Sequence, residues 1–401
     1  VIRHRPVIIS ALGLGQVLAW GSSYYLLAVL AKPIIEDTGW PLTAVAGGLS
    51  LGLVAAAMAS PWVGRAIDQR GGRLVLVASS LLLSVGHLCL ASAPNVSAYL
   101  GAWLVVGIGM GAGLYDSAFS TLGRLYGSDA RSAITMLTLF GGFASTVCWP
   151  LSTILVVELG WRGTCVAYAG LHLLLALPLY WFVLPRPRLA TAVAQTPEPA
   201  RQIAGSGPRV ERRRLILGFL MAGSMLSFMI STMLSVHLLV LLQARGIALA
   251  AAVGLGATIG PCQVGARVIE LAIARFHHPI WTRITATVLV ATGIAVLWSG
   301  LPIVLVALVL YGAGIGLESI ARGTLPLTLF GPIGYGTLMG RLAIPNLIAQ
   351  ASAPSIGAVL IEGIGSQTML RVLLAAAVSN LLVAMLLFTL LRRTGSPQMS
   401  A

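Results

Sequence analysis

Along this chain apolar residues gather in runs of about 20 rather than alternating with polar ones, and polar clusters separate one run from the next. Each run is long enough to cross a hydrocarbon core about 30 Å thick. Inside such a core only helices and closed barrels satisfy their own backbone. Barrel strands alternate over about 10 residues, and these runs do not, so the pattern predicts membrane helices. Twelve spans are read, near 8–31, 43–63, 74–92, 97–121, 133–157, 164–184, 215–241, 248–266, 282–300, 303–323, 338–361 and 369–391. The basic start, Val1 to Arg5, followed by an apolar run imitates a signal peptide. That run is too long and lacks a small-residue cleavage site, so it is expected to be a retained first helix.

Composition agrees with lipid as the solvent. Of 401 residues, 57% are hydrophobic and only 9% charged, whereas a soluble protein carries about 25% charged residues. The net charge of +14 raises the question of nucleic acid, and the positions of the charges answer it. With the N-terminus in the cytoplasm, Lys32, Arg162, Arg245 and Arg371 fall outside, and the other 21 of the 25 basic residues fall inside. That is the positive-inside asymmetry of a membrane protein, and it needs no polyanionic partner.

Between spans two and three lies Gly64-Arg65-Ala66-Ile67-Asp68-Gln69-Arg70-Gly71-Gly72-Arg73. Its Gly-x-x-x-Asp pattern, followed by Gly and Arg, resembles the loop between the second and third helices of major facilitator superfamily transporters. Gly160-Trp161-Arg162 before span six and Gly39-Trp40-Pro41 opening span two are similar to features of the same family. The latter, with Tyr24-Tyr25 and Lys32 upstream, leans towards the monocarboxylate and organic-anion branches. Two departures point away from a standard multidrug exporter: span five has Gly141-Gly142 and Trp149-Pro150 in place of the Gly-Pro motif of many drug–proton antiporters, and span four lacks the arginine that many family members carry.

The stretch 185–214 contains five prolines, seven arginines and two acids, and is too polar to build a core. It is expected to be a flexible cytoplasmic linker between two six-helix bundles, 1–184 and 215–401. An internal repeat supports the division. At an offset of 202, Arg65-Ala66-Ile67-Asp68 falls on Arg267-Val268-Ile269-Glu270, and Asp116-Ser117 on Glu318-Ser319; at 204, Pro150 and Glu158 fall on Pro354 and Glu362. Two similar halves with a midplane site between them is a transporter architecture. The fold class expected is therefore an all-α polytopic membrane protein with twelve transmembrane helices in two pseudo-symmetric bundles.

In the family, spans one, four, seven and ten line the cavity. On that resemblance Gln16, Trp20, Ser23, Tyr24, Tyr115, Ser227 and Ser231 become substrate candidates, joined by Gln263, Asn346 and Gln350 from flanking helices. The alternative for each is interhelical hydrogen bonding. Lys32, the only lysine, either recruits an anion at the outer mouth or snorkels to the interface. His237 is a similar case at the outer end of span seven.

Asp116 and Glu318 are the carboxylates well inside spans, where a charge is costly and by default functional. Gly64, Arg65, Asp68, Arg70, Arg73 and Asp116, repeated as Arg267, Glu270 and Glu318, predict two clusters at the inner gate. The repeat pairs Arg65 with Asp116 and Arg267 with Glu318, while Arg322 competes for Glu318 from four residues away.

Other chemistries find no support. Gly107, Gly109, Gly111 and Gly113 lie inside a span, so they predict close helix packing rather than a dinucleotide loop. Gly312, Gly314 and Gly316 repeat the device. Cys89, Cys148, Cys165 and Cys262 lie in separate spans and read as small apolar residues; a thiol site for a soft metal or metalloid is the alternative. No metal-spaced set and no hydrolytic constellation is present; His277 and His278 are adjacent and cannot share a helix face. The expectation is a monomeric secondary transporter of a bacterial inner membrane, with both termini cytoplasmic. It would need no cofactor and be driven by a proton or substrate gradient. Proton-coupled transport of a small organic anion is the first reading, and proton-driven efflux of a toxic compound the second. A third, a transporter-derived sensor, would be expected to bear an appended soluble domain.

Overall fold

The computed structural model describes residues 5–186 and 208–392; residues 1–4 and most of the predicted linker lie outside them. The chain begins with α1 (Arg5–Ser22), α2 (Leu27–Thr38), α3 (Leu42–Arg70) and α4 (Gly72–Ser92). There follow α5 (Val96–Gly113), α6 (Tyr115–Tyr126), α7 (Ala130–Gly142), α8 (Ala144–Leu171) and α9 (Leu177–Val183). The second half holds α10 (Pro208–Gln243), α11 (Leu249–Ala257), α12 (Ile259–Ile273), α13 (Pro279–Ser299), α14 (Val304–Phe330), α15 (Tyr335–Ile364) and α16 (Ser366–Arg392). No strand occurs among the described residues.

Ten helical stretches among the described residues are long and apolar enough to cross a membrane, and one of these, Val96–Val183, runs for 88 residues. At 1.5 Å per residue it would reach about 130 Å, far beyond one hydrocarbon core, so it has to fold back. It reverses at Gly127 and Gly160, whose φ of 57° and 67° only glycine adopts without strain. Three passes result there, which makes twelve among the described residues. Leu174, Phe182 and Val157 stand out from the surface, 82%, 81% and 75% exposed, as lipid-facing side chains do.

The motif stretch is a corner rather than a loop. Gly64 to Arg70 complete α3, Gly71 alone turns the chain at φ 80°, and α4 starts at Gly72. At 29 residues α3 is about 43 Å long, so its end projects beyond the hydrocarbon. We call this side of the molecule the motif face. Arg5 donates to the Asp129 carbonyl (2.8 Å) and Arg131 to the His277 carbonyl (2.6 Å), which places the ends of several helices at that face.

The glycine row of α5 packs two ways. Gly107 and Gly111 lie against the backbone of Gly52 and Ala56 on α3, while Gly109 and Gly113 lie against Leu83 and Ser79 on α4. Gly312 and Gly316 similarly meet Ile259 and Gln263. Between helices in lipid there is little hydrophobic drive, so close van der Waals approach of this kind supplies the association.

The two halves share one apolar core at the motif face. Leu325, Tyr335, Met339 and Leu342 of the second half are continuous there with Ala118, Phe119, Leu122 and Ile134 of the first. Towards the opposite face, the second half has a separate core around Ile230, Leu234, Leu308 and Leu373. The bundles are therefore closed against each other at the motif face.

Candidate functional site

The closure is fastened by Asp68. Helix α15 begins after Gly334, a left-handed residue with no side-chain cap of its own, so its first amides need an acceptor from elsewhere. Asp68 provides it from the end of α3, accepting from the amides of Gly336 (2.9 Å) and Thr337 (2.7 Å) and from Thr337 Oγ1 (2.7 Å). A carboxylate at a helix N-terminus also meets the positive end of its dipole. Gly64 lies directly on the backbone of Gly336 and Thr337, leaving no room for a Cβ. Arg124 donates to the carbonyl of Asp68. Among the other motif residues, Arg73 is buried with its guanidinium 4.6 Å from the centre of the Trp181 ring, and Arg70 is exposed.

Arg65 does not reach Asp116. It is exposed and donates to the Pro61 carbonyl of its own helix (3.2 Å). The partner of Asp116 is Arg322, at 2.9 Å, so this pair crosses from α6 to α14. Asp116 stands in the first turn of α6, a second carboxylate placed at a helix N-terminus. Nor does Arg267 meet Glu318. Glu318 is ion-paired with Arg283 of α13, which also donates to Asn380 Oδ1 (2.7 Å) and Ser227 Oγ (3.3 Å). The repeat misleads because the arginines are not repeated: at the offset of 202, Arg322 falls on Ser120 and Arg283 on Leu81. Glu270 takes a third arrangement, with Arg131 of the other half at 3.6 Å, His277 at 3.5 Å and Thr282 Oγ1 at 2.7 Å.

Asp116, Glu318, Arg283 and Arg322 line one internal cavity with Asn346. Both polar atoms of the buried Asn346 side chain, and Oε2 of Glu318, are without a protein partner. In a low-dielectric interior such groups are costly unless something else fills them. A neighbouring cavity brings Trp20 and Gln350 to the same Asp116 and Arg322.

The first half contributes an aromatic wall. Trp20 lies 5.6 Å from Tyr24, 6.1 Å from Tyr25 and 5.2 Å from Tyr115, ring centre to ring centre. Two helix breaks put it there. The chain leaves helix between Ser22 and Leu27, carrying Tyr24 and Tyr25, and again at Leu114, just before Tyr115. Broken helices leave carbonyls that must be satisfied from neighbouring side chains. Gln16 does so, donating to the Gly113 carbonyl (2.6 Å) while it accepts from Trp20 Nε1 (3.2 Å).

Arg267 reaches across from the second half to α7. It is 4% exposed, and its donors go to the Thr138 carbonyl (2.7 Å), the Gly316 carbonyl (3.4 Å) and Gln263 Oε1 (3.4 Å). None of these acceptors carries a charge. Tyr115 Oη donates to the same Thr138 carbonyl (3.4 Å).

The remaining candidates serve other ends. Ser23 bonds back to the Ala19 carbonyl (2.5 Å) and Ser231 to the Phe228 carbonyl (3.2 Å), each on its own helix. Lys32 is on the surface in a pair with Glu36 at 3.7 Å, and His237 Nε2 donates to the Pro354 carbonyl (3.0 Å). Arg283, Arg131 and Asn380 were not anticipated. The signal for Arg283 was an arginine inside an apolar run, hidden because span nine was drawn from 282; the helix starts at Pro279.

Two helical halves enclosing a polar, charged cavity is the architecture of a secondary transporter. The chain belongs to the Major Facilitator Superfamily, a family of transporters rather than enzymes, whose profile matches residues 12–340. Over 212 residues it is 28% identical to a gallate transporter of Pseudomonas putida, covering 51% of this chain and 46% of that protein. The chain spans about half, or less, of the length of the curated relatives it matches. Among solved structures, a proton:xylose symporter, XylE, superposes with a TM-score of 0.76 at 12% identity, covering 96% of each chain. The human organic anion transporter MFSD10 gives 0.72 at 18% identity, covering 95% of this chain and 99% of that one. At these identities the two likenesses speak for the fold alone.

Proposed function

We propose that this protein carries a small organic anion, an aromatic carboxylate, by alternating access coupled to protons. The observation that carries the reading is Arg267. On the cavity Arg322 has Asp116 and Arg283 has Glu318, whereas Arg267, which shares the Thr138 carbonyl with Tyr115 Oη, has only neutral acceptors. A buried guanidinium without a counter-charge is costly, and a substrate carboxylate would supply one through the bidentate geometry that arginine favours. The Tyr115 ring, whose hydroxyl shares that carbonyl, and the Trp20 ring 5.2 Å from it suit a flat ring in edge or offset contact. The gallate transporter resemblance points to the same class, since gallate is an aromatic carboxylate.

In this reading residues 1–184 and 215–401 are the rocking bundles, and 185–214 is a cytoplasmic linker. The motif face is then the cytoplasmic side of a bacterial inner membrane. The Asp68 cap on α15, with Asp116–Arg322 and Arg131–Glu270, holds the inner gate of a monomer and breaks when the gate opens. Asp116 and Glu318, lying on the cavity rather than behind it, are coupling candidates.

The test is counterflow in proteoliposomes with gallate and benzoate, set against amines and sugars. Saturable counterflow of the carboxylates is expected, with R267Q raising the Km for gallate at least tenfold, which is about 1.4 kcal/mol. Counterflow of an amine or a neutral drug in their place, unaffected by R267Q, overturns the reading and favours efflux.

A further inference from the structure

A second polar cluster lies away from the central cavity, inside the first bundle. His87 of α4 is fully buried, with Nδ1 2.5 Å from the Leu83 carbonyl and Nε2 2.7 Å from the Ser22 carbonyl. A carbonyl oxygen only accepts, so both ring nitrogens must carry hydrogen to make these bonds. A neutral imidazole has one N–H; the imidazolium has two. Beside it His172 sits 5.8 Å away, ring centre to ring centre, with Nε2 2.8 Å from Ser22 Oγ and Nδ1 without a partner. That unmet nitrogen fits a neutral His172 which gives its only hydrogen to Ser22.

The Ser22 carbonyl is available because α1 ends there. The amide that would bond it in a continuous helix, that of Leu26, turns instead to the Ser23 carbonyl (3.2 Å). The C-terminus of a helix favours a cation, which is what the imidazolium presents. His172, stacked on the ring, begins a π-helical turn, His172–Ala176, a bulge of a kind frequent at functional sites.

Other titratable groups around the ring do not neutralise it. From α8 come Tyr168, bonded to Ser152 (2.6 Å), and the buried thiols Cys148 and Cys165. Arg162, further along α8, is engaged with Asp37 (3.8 Å) and the Ala91 and Ala93 carbonyls (2.7 and 3.0 Å). Tyr99 of α5 donates to Val45 (2.9 Å), Tyr180 of α9 lies against Gly15, and Asp116 of α6 is taken by Arg322. The charges of α3 stand at its motif end.

We propose that His87 is a proton-binding site whose proton holds the break in the first membrane pass. While the ring is doubly protonated it bridges Leu83 and Ser22. When Nε2 gives its proton to water, a lone pair faces the Ser22 oxygen, the bond turns repulsive and the 22–26 segment is released. That segment carries Tyr24 and Tyr25 and follows Trp20 directly, so proton loading at His87 reaches the aromatic wall of the cavity. With no carboxylate against it, the site holds its proton loosely enough to load and unload. The link to transport rests on the proton coupling proposed above; the site itself does not.

The full chain in lipid nanodiscs, labelled with 15N-histidine, tests the site between about pH 5 and 9, a range in which histidine titrates. Expected at the acid end of that range is an imidazolium pair of 15N signals for His87, assigned by their loss in H87Q or, should H87Q not fold, by their persistence in a variant with the other five histidines replaced. A neutral His87 with one N–H at pH 7 and below overturns the proposal. In proteoliposomes H87Q should retain gallate counterflow and lose at least tenfold of the stimulation by an acid-outside gradient; undiminished stimulation removes the coupling role. If the wild type does not carry gallate, the aromatic-carboxylate reading fails and the NMR titration alone decides the proton site.

Discussion

Asp116 and Arg322 belong to opposite halves of the molecule, 206 residues apart in sequence, and their side chains meet at 2.9 Å on the wall of the central cavity. The arginine also lies over the ring of Phe228, 4.8 Å from its centre. Such a pair stabilises whichever state brings the halves together there. Removing one member leaves the other charge buried and uncompensated, at a cost of about 3–5 kcal/mol. D116N should therefore slow gallate transport far more than it weakens gallate binding. Exchanging the charges in D116R/R322D should restore only part of the rate, because an arginine then occupies the first turn of α6, where the dipole disfavours it. Wild-type rate and pH dependence in D116N would deny the pair any part in the cycle.

Asp68 gives a more local prediction. D68N keeps an acceptor for one amide of α15 but loses the charge that three donors now share. Loss of a charge-assisted cap costs about 1–2 kcal/mol, enough to raise the motif-face-open population roughly tenfold. Spin labels at Q69C and I333C, both exposed positions, with the exposed Cys89 replaced by Ser, report the opening by electron–electron resonance. Unchanged distance distributions would mean that the cap does not hold the gate.

The fold was legible because lipid leaves few options: apolar runs of spanning length, glycines four apart in α5 and a repeated half are each direct consequences of the solvent. The site was legible in its members but not in its pairings. Asp116, Glu318 and Arg322 announce themselves as charges in apolar runs and Arg267 as the repeat of Arg65, yet which arginine meets which acid depends on how two bundles dock. Repeat logic assigned Arg65 to Asp116, but Arg65 turns outward along α3 and the docking brings Arg322 instead. Ser23 and Ser231 show a different limit. A serine on an apolar helix satisfies itself at a carbonyl of its own helix, and spacing alone does not distinguish that from a substrate contact. The corner at Gly71 was read as a loop because charge was taken as the end of a helix, whereas α3 runs on past the membrane.

His278 offers a pH test outside the membrane. Its Nδ1 accepts from the Ile280 amide (3.2 Å) and so caps α13, which requires the neutral ring. Burial first, then the neighbouring Arg131 and His277, hold its pKa below the ordinary value of 6.5. The folded state thus binds fewer protons than the unfolded one between the folded pKa and about 6.5. Stability is full above that range and falls as pH is lowered through it. H278N retains a capping acceptor without a titration. Its Tm should fall less than that of the wild type from pH 7 to about pH 5, and parallel curves would exclude His278 as a source of the acid sensitivity.

Arg283 ties four helices together: it is on α13, pairs with Glu318 of α14, and bonds Ser227 of α10 and Asn380 of α16. Asn380 in turn donates to Ser227 (2.9 Å). Two roles are open to this knot, and they predict different outcomes. As a scaffold, it would be sensitive to loss of one member and tolerant of loss of both charges. R283M strands Glu318 and should destabilise by about 3–5 kcal/mol, whereas an apolar pair of similar volume is often neutral or better. R283M/E318L should therefore recover most of the Tm lost in R283M. As a coupling element, Glu318 presents an oxygen without a partner on the cavity wall, and no apolar residue replaces it. The double variant is then expected to fold, to show gallate counterflow, and to lose accumulation driven by a pH gradient. Gradient-driven accumulation at the wild-type level in R283M/E318L would reduce Glu318 to the scaffold role and leave coupling to Asp116.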